Sequence, residues 1–317
     1  RIVEQIGCGS MGMVYEGVHP QLGRSVAIKV LHAALLGHSG MDTRMLQEAS
    51  ILEELQHPGV TRIFDCGLLD DQRPWIAMEL VTGECLATKL SRDVLMSPVE
   101  VCNLIAAIAD VLATAHGHGV VHRDLKPENV LFADADTGFP LRVIDWGVAR
   151  LGPLARLTLD GVTCGTPIYM SPEQLKAGDI APPCDIYSLG VIAYEALSGA
   201  PPVDGSTLAD VAAKHIAGDA VPLSERAPST PRALCELVHA MLATLAHDRP
   251  TAVDVRIMAQ RLAREISSET APEPVVNEAM SLSTVNTVRI RRPRWTPEIS
   301  YSIAGEIIST HALLAAL

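Results

Sequence analysis

His122-Arg123-Asp124-Leu125-Lys126-Pro127-Glu128-Asn129 carries a carboxylate, a cation and an amide at short, fixed spacing. Asp124 can accept the proton of an attacking hydroxyl. Lys126, two residues on, can steady a phosphoryl group in flight. Asn129, five residues after Asp124, can hold a magnesium ion. Phosphoryl transfer asks a protein mainly for positioning and charge neutralisation, so a few polar groups on one rigid loop suffice. Alone, the string could be a polar surface loop with a chance Asp and Lys. The segments on either side argue against that.

Upstream, Arg1 to Ile6 alternates as a strand and runs into Gly7-Cys8-Gly9-Ser10-Met11-Gly12-Met13-Val14. Glycines let a backbone turn tightly and bring its N–H groups close to phosphate. A dinucleotide fold needs a helix at once after such a run. Met13 to Val18 reads instead as a second strand, which favours a glycine-rich hairpin. Ser25-Val26-Ala27-Ile28-Lys29-Val30-Leu31 is a β-branched strand with one lysine, on its own an ordinary edge-strand residue. Met45, Ala49, Leu52 and Leu55 recur at helical spacing, and Trp75 to Val81 is a further strand. Ser97-Pro98 with Glu100 opens a helix reaching His116. The strand Leu141 to Ile144 ends at Asp145-Trp146-Gly147, where Asp145 is a hard oxygen ligand suited to magnesium.

These segments, in this order, resemble the eukaryotic-like Ser/Thr protein kinases over about Arg1 to Arg264. Ser171-Pro172-Glu173-Gln174 and the aliphatic composition resemble bacterial members. The resemblance implies an α+β, bilobal protein-kinase fold: a small antiparallel-sheet lobe over 1–81 and a large, mainly helical lobe over 82–264. It implies ATP and Mg2+ as co-substrate and cofactor. Gly7, Gly9 and Gly12 would cover the phosphates, with Val14, Ala27 and Leu131 against the adenine. Met78 would be the gatekeeper behind the ring, and the backbone of Glu79 and Val81 would bond to it. Lys29 would bind the α- and β-phosphates, held by Glu48. Asp124 is the implied base, Lys126 the stabiliser of the transferred group, and Asn129 with Asp145 the magnesium ligands. Glu84 is a weaker candidate for ribose or substrate. Leu52, Ile63, His122 and Trp146 would stack as core, Asp185 would hold the catalytic-loop backbone, and Arg249 would pair with Glu173.

Trp146 stands where the family has Phe. Thr166 in Gly165-Thr166-Pro167 would bond Asp124 and Lys126. Thr158 and Thr163 are candidate autophosphorylation sites, whose phosphate Arg123 could order; each is equally readable as a solvated loop hydroxyl. Cys8 and Cys164 flank the site and read as ordinary small residues. His116, His118 and His122 invite a metal reading, but Gly117 and Gly119 break a helix there, so they read as structural. Two alternatives stay open. A pseudokinase scaffold would be expected to lack part of the set Lys29, Glu48, Asp124, Asn129 and Asp145. A small-molecule phosphotransferase would lack the Gly165 to Pro167 and Ser171 to Glu173 segments.

The chain has 317 residues, 48% hydrophobic and only 3% aromatic, so its cores are aliphatic. A net charge of -12 disfavours nucleic-acid partners and would draw peptides with basic residues; the resemblance implies protein substrates with Ser/Thr acceptors. Seven scattered cysteines without a C-x-x-C pair fit a reducing cytoplasm rather than disulfides or zinc. Arg1 already stands inside a motif, so the chain reads as a fragment. Residues 265–317 read as a linker and tail: a polar, proline-bearing start, a Ser/Thr-rich stretch with Ser283, Thr284 and Thr287, a basic cluster from Arg289 to Arg294, and one short amphipathic helix. The expected localisation is cytoplasmic, with a mostly disordered tail; the alternative is that the tail is a juxtamembrane segment, the one route to a membrane, which would place the protein at its cytoplasmic face. Self-association for phosphorylation in trans is a further expectation.

Overall fold

The computed structural model describes residues 1–8, 12–33, 49–92, 95–133, 138–146, 167–176 and 178–270. The small lobe is a five-stranded antiparallel sheet in the order β1-β2-β3-β5-β4, formed by β1 (Ile2–Cys8), β2 (Gly12–Val18), β3 (Ser25–Leu31), β4 (Ile63–Leu68) and β5 (Pro74–Glu79). Side chains alternate across a strand, so register assigns them to faces. Val14 lies opposite Lys29, and Ala27 opposite Met78, which puts all four on one face. Val26, Ile28, Val30, Trp75 and Ala77 form an apolar cluster on the other, joined by Ile2, Tyr15 and Leu69. One face thus carries this apolar cluster, and the other carries Val14, Lys29 and Met78 beside the buried Ala27, Leu31 and Ile76. Gly12 is fixed by contact: a β-carbon there would fall 2.2 Å from the Val30 carbonyl oxygen.

The large lobe is built on α2 (Pro98–Gly117), which follows the short α1 (Leu86–Leu90). Ser97 and Glu100 close a reciprocal capping box at the start of α2. The two-stranded pair β6 (Val130–Phe132) and β7 (Leu141–Val143) flanks the catalytic loop. Then come α3 (Pro172–Leu175), α4 (Pro183–Ser198), α5 (Leu208–Ala217), α6 (Leu223–Arg226), α7 (Arg232–Met241) and α8 (Ala252–Thr270). Ile105, Ile108 and Leu112 of α2 meet Leu189 and Ile192 of α4, Val238 of α7 and Val255 of α8 in one core. Each such side chain contributes roughly 1.5–3 kcal/mol on burial. Among the described residues α2 alone is long and apolar enough to cross a membrane, but its apolar residues pack into this core.

The expected bilobal α+β fold is the one observed. The expected linker start is corrected: α8 continues through Thr270 instead of ending near 264. Arg261 pairs with Glu265 one turn on, at 2.6 Å, and Ile266 packs on the core, while no proline intervenes before Pro272. Backbone and side-chain bonds at β7 join the lobes, and others fix the segment just after the hinge. Val143 N donates to Gly59 O at 2.8 Å, and Thr61 Oγ1 donates to Val143 O at 3.2 Å. On the hinge side, Phe132 N donates to Glu84 O at 2.9 Å, and Gly83 passes so close that a β-carbon would lie 2.0 Å from Phe132 O.

Candidate active site

The catalytic loop is held by a buried carboxylate. Asp185, in the first turn of α4, is fully buried. Its Oδ1 accepts from Arg123 N at 2.8 Å, and its Oδ2 accepts from His122 N at 2.8 Å. His116 Nε2 lies 2.9 Å from the same Oδ2. Burial alone would raise the Asp185 carboxyl, but the His116 contact outweighs it, and the group is held below its ordinary value. Arg123 sits at φ 64°, a left-handed backbone that costs a non-glycine residue roughly 1–2 kcal/mol. Bonds to its neighbours must offset that cost.

Asn129 donates Nδ2 to the Asp124 carbonyl at 2.8 Å, so its Oδ1 is the atom available to a cation. Lys126 Nζ stands 3.4 Å from Asp124 Oδ2. Across the cleft, Lys29 Nζ pairs with the carboxylate of Asp145. The surrounding protein disfavours charge on Asp145, but the Lys29 ammonium and its hydrogen bond prevail and keep the carboxyl below its ordinary value. An ionised carboxylate and an amide oxygen are the hard donors that Mg2+ takes, so the donor chemistry fits that ion.

Asp145 is itself at φ 56°. The residues on either side hold it there. Ile144 N donates to Asn129 O at 2.9 Å, and His122 Nε2 lies 3.0 Å from Ile144 O. Trp146 is 4% exposed and stacks near His122, with ring centroids 4.8 Å apart. Its indole N–H donates to Val143 O at 3.0 Å, a bond that phenylalanine cannot make. Of the expected stack of Leu52, Ile63, His122 and Trp146, the His122–Trp146 contact is direct; Leu52 and Trp146 belong to the main core, with Ile63 packed against it.

Val14, Ala27, Lys29 and Met78, expected to line the nucleotide, share one face of the sheet, with Gly7 and Gly12 on the strands beside them. Leu131 lies on β6 opposite, pinned by a bridge to Cys85. Glu79 N is taken by Arg62 O at 2.9 Å, so the Glu79 N–H is not the group that would meet a base. The Glu84 carboxylate is occupied by Arg92, which weakens its reading as a ribose contact. Arg249 meets Glu173 through two parallel bonds, of 2.7 and 2.9 Å. Gly9, Glu48, Thr158, Thr163, Cys164 and Thr166 lie outside the described residues. His116, read from sequence only as structural, is a direct partner of Asp185; nothing in a spacing of 69 residues signals that contact.

A glycine-edged sheet over a cation–carboxylate pair, facing a second carboxylate on a braced loop, defines a bilobal phosphotransferase. A model of the protein kinase domain matches residues 1–260. The chain is 39% identical over 255 residues to the serine/threonine-protein kinase pkn2 of Myxococcus xanthus, across 79% of this chain and 30% of that protein. It is 36% identical over 241 residues to the serine/threonine-protein kinase PknA of Mycobacterium tuberculosis, across 75% of this chain and 55% of that protein. The crystal structure of the Mycobacterium tuberculosis PknI kinase domain superposes with a TM-score of 0.65 at 27% identity, covering 82% of this chain and 95% of that one. The chain belongs to the protein kinase family, in its bacterial Ser/Thr branch. It spans from 30% to 55% of the length of the curated relatives named above.

Proposed function

We propose that the chain transfers the γ-phosphate of ATP to Ser or Thr hydroxyls of protein substrates, with Asp124 orienting the hydroxyl and accepting its proton. Lys126, beside Asp124, stabilises the transferred group. Lys29 holds the α- and β-phosphates, with Glu48 as its expected second partner. Val14, Ala27, Met78 and Leu131 enclose the adenine, and the Glu79 and Val81 backbone bonds to it. Asp145 and Asn129 would hold Mg2+, which neutralises phosphate charge when bound. Phosphorylation at Thr158 or Thr163, through self-association, would order the loop by pairing with Arg123. The lobes meet near Val81, and any membrane association runs through the tail, from the cytoplasmic side.

The observation that supports this reading is the braced Asp124: Asp185 holds the backbone before it, and Asn129 holds its own carbonyl. The test is incorporation of labelled phosphate from Mg-ATP into the protein itself and into a basic acceptor protein. Label on Ser or Thr is expected, falling by at least about 100-fold in Asp124→Asn and in Asp145→Asn. A folded wild type that binds ATP but takes up no label would favour a binding scaffold.

A further inference from the structure

We infer that Gln174 is a positioning residue for the catalytic carboxylate Asp124. Gln174 lies on α3, is 4% exposed, and uses both ends of its amide. Its Oε1 accepts from Ser171 N at 3.0 Å and from Ser171 Oγ at 3.2 Å. Its Nε2 donates to the carbonyl of Arg123 at 2.8 Å, fifty-one residues away in sequence. With donors on one side and an acceptor on the other, only one orientation of the amide satisfies both.

The Arg123 carbonyl and the Asp124 N–H belong to one planar peptide unit. Gln174 grips the oxygen end of that plane. His122 Nδ1 receives Asp124 N at the other end, at 3.2 Å. The preceding unit is tied through Arg123 N to Asp185. Three residues from three separate segments therefore fix the backbone on which Asp124 stands, at the point where φ is 64°. Without Gln174 the peptide plane can rock toward an ordinary conformation and swing the Asp124 carboxylate. A misplacement of about 1 Å costs on the order of 100-fold in rate. The capping box of α3 hides this role, because Ser171 and Gln174 look fully explained by their bonds to each other.

The inference rests on Asp124 being the hydroxyl-orienting residue, so Asp124→Asn is the control. If that variant keeps wild-type rate, the functional reading fails, whatever Gln174 does. Three further variants separate the two ends of the amide. Gln174→Glu keeps the acceptor for Ser171 and loses the donor to Arg123. Gln174→Met loses both without adding charge. Ser171→Ala loses the hydroxyl of the cap and keeps the donor. Steady-state rates, ATP affinity and Tm are measured for each. Gln174→Glu and Gln174→Met are expected to lower kcat about tenfold, one hydrogen bond's worth, with KM for ATP unchanged. The Gln174→Glu deficit relative to wild type should narrow between about pH 8 and about pH 6, as the buried carboxyl takes up a proton and regains an O–H donor. The Gln174→Met deficit should not. Ser171→Ala should lower Tm and leave kcat within about twofold. Wild-type kcat in either folded Gln174 variant overturns the assignment. So does a loss in Ser171→Ala as large as that in Gln174→Glu.

Discussion

Asp185 carries four contacts on one carboxylate, from the His122 and Arg123 N–H groups, His116 and the Cys184 thiol, with no solvent to replace any of them. Changing it to Asn keeps one acceptor but turns an amide N–H toward a backbone N–H. Asp185→Asn should therefore cost about 2–4 kcal/mol in denaturant unfolding and lower kcat, because one end of the loop is released. Unchanged stability would mean that the loop does not depend on it. Trp146 behaves differently. Its indole bond to Val143 O is added to the one that carbonyl already receives from Thr61. Trp146→Phe thus leaves no orphaned carbonyl, only a smaller ring and one lost bond. A cost of about 1–2 kcal/mol is expected, read from the denaturation midpoint. The larger ring acts as a stabilising member of the core at this position.

Among the elements, α3 is tied to the loop before α8 by the Glu173–Arg249 pair. Arg249 is also bonded to the carbonyls of Ala243 and Pro183, at 2.8 and 2.9 Å. Arg249→Ala strips all of these and leaves Glu173 charged in a half-buried site, so a loss of about 3–5 kcal/mol is expected in thermal or denaturant unfolding. Burial would raise the Glu173 carboxyl, but Arg249 holds it below its ordinary 4.5. Its contribution is complete above that value and disappears as the pH falls through the lower folded value. The α5 helix gives the opposite case. His215 is 1% exposed, its Nδ1 is 2.7 Å from Tyr187 Oη, and burial pushes its imidazole down to about 4. The unfolded chain binds a proton near 6.5 that the native state refuses until about 4. Stability should therefore fall by about 3 kcal/mol as the pH drops across that window. His215→Gln should flatten the curve there; an unflattened curve would place the titration elsewhere.

At the scale of the molecule, the lobes are coupled behind the cleft by a short polar chain. His57 Nε2 lies 3.4 Å from Asp110 Oδ2 on α2, and Arg256 Nη1 on α8 donates to Asp110 Oδ1 at 2.6 Å. His57 belongs to the segment whose Gly59 and Thr61 bond to β7. Asp110 thus links that segment to the last helix. Asp110→Ala should destabilise by about 1–3 kcal/mol, and its effect should be non-additive with Arg256→Ala in a double-mutant cycle. Additive effects would show that the Asp110–Arg256 contact contributes nothing to stability.

Much of the site was legible in one dimension because catalytic loops are local. Asp124, Lys126 and Asn129 lie within six residues, and backbone geometry leaves them few ways to be arranged. Strand register did the same for Val14, Ala27, Lys29 and Met78, since alternation fixes faces once pairing is known. The Asp145-Trp146-Gly147 and Ser171 to Gln174 strings marked their own places. Contacts between distant segments were not legible. That His116 sits on Asp185, that Arg92 occupies Glu84, that Lys29 reaches Asp145 and that Gln174 grips Arg123 all depend on how helices and loops meet after packing. A sequence states which donors and acceptors exist. Burial decides which of them must find each other, because an unpaired polar group away from water costs more than the bond itself returns.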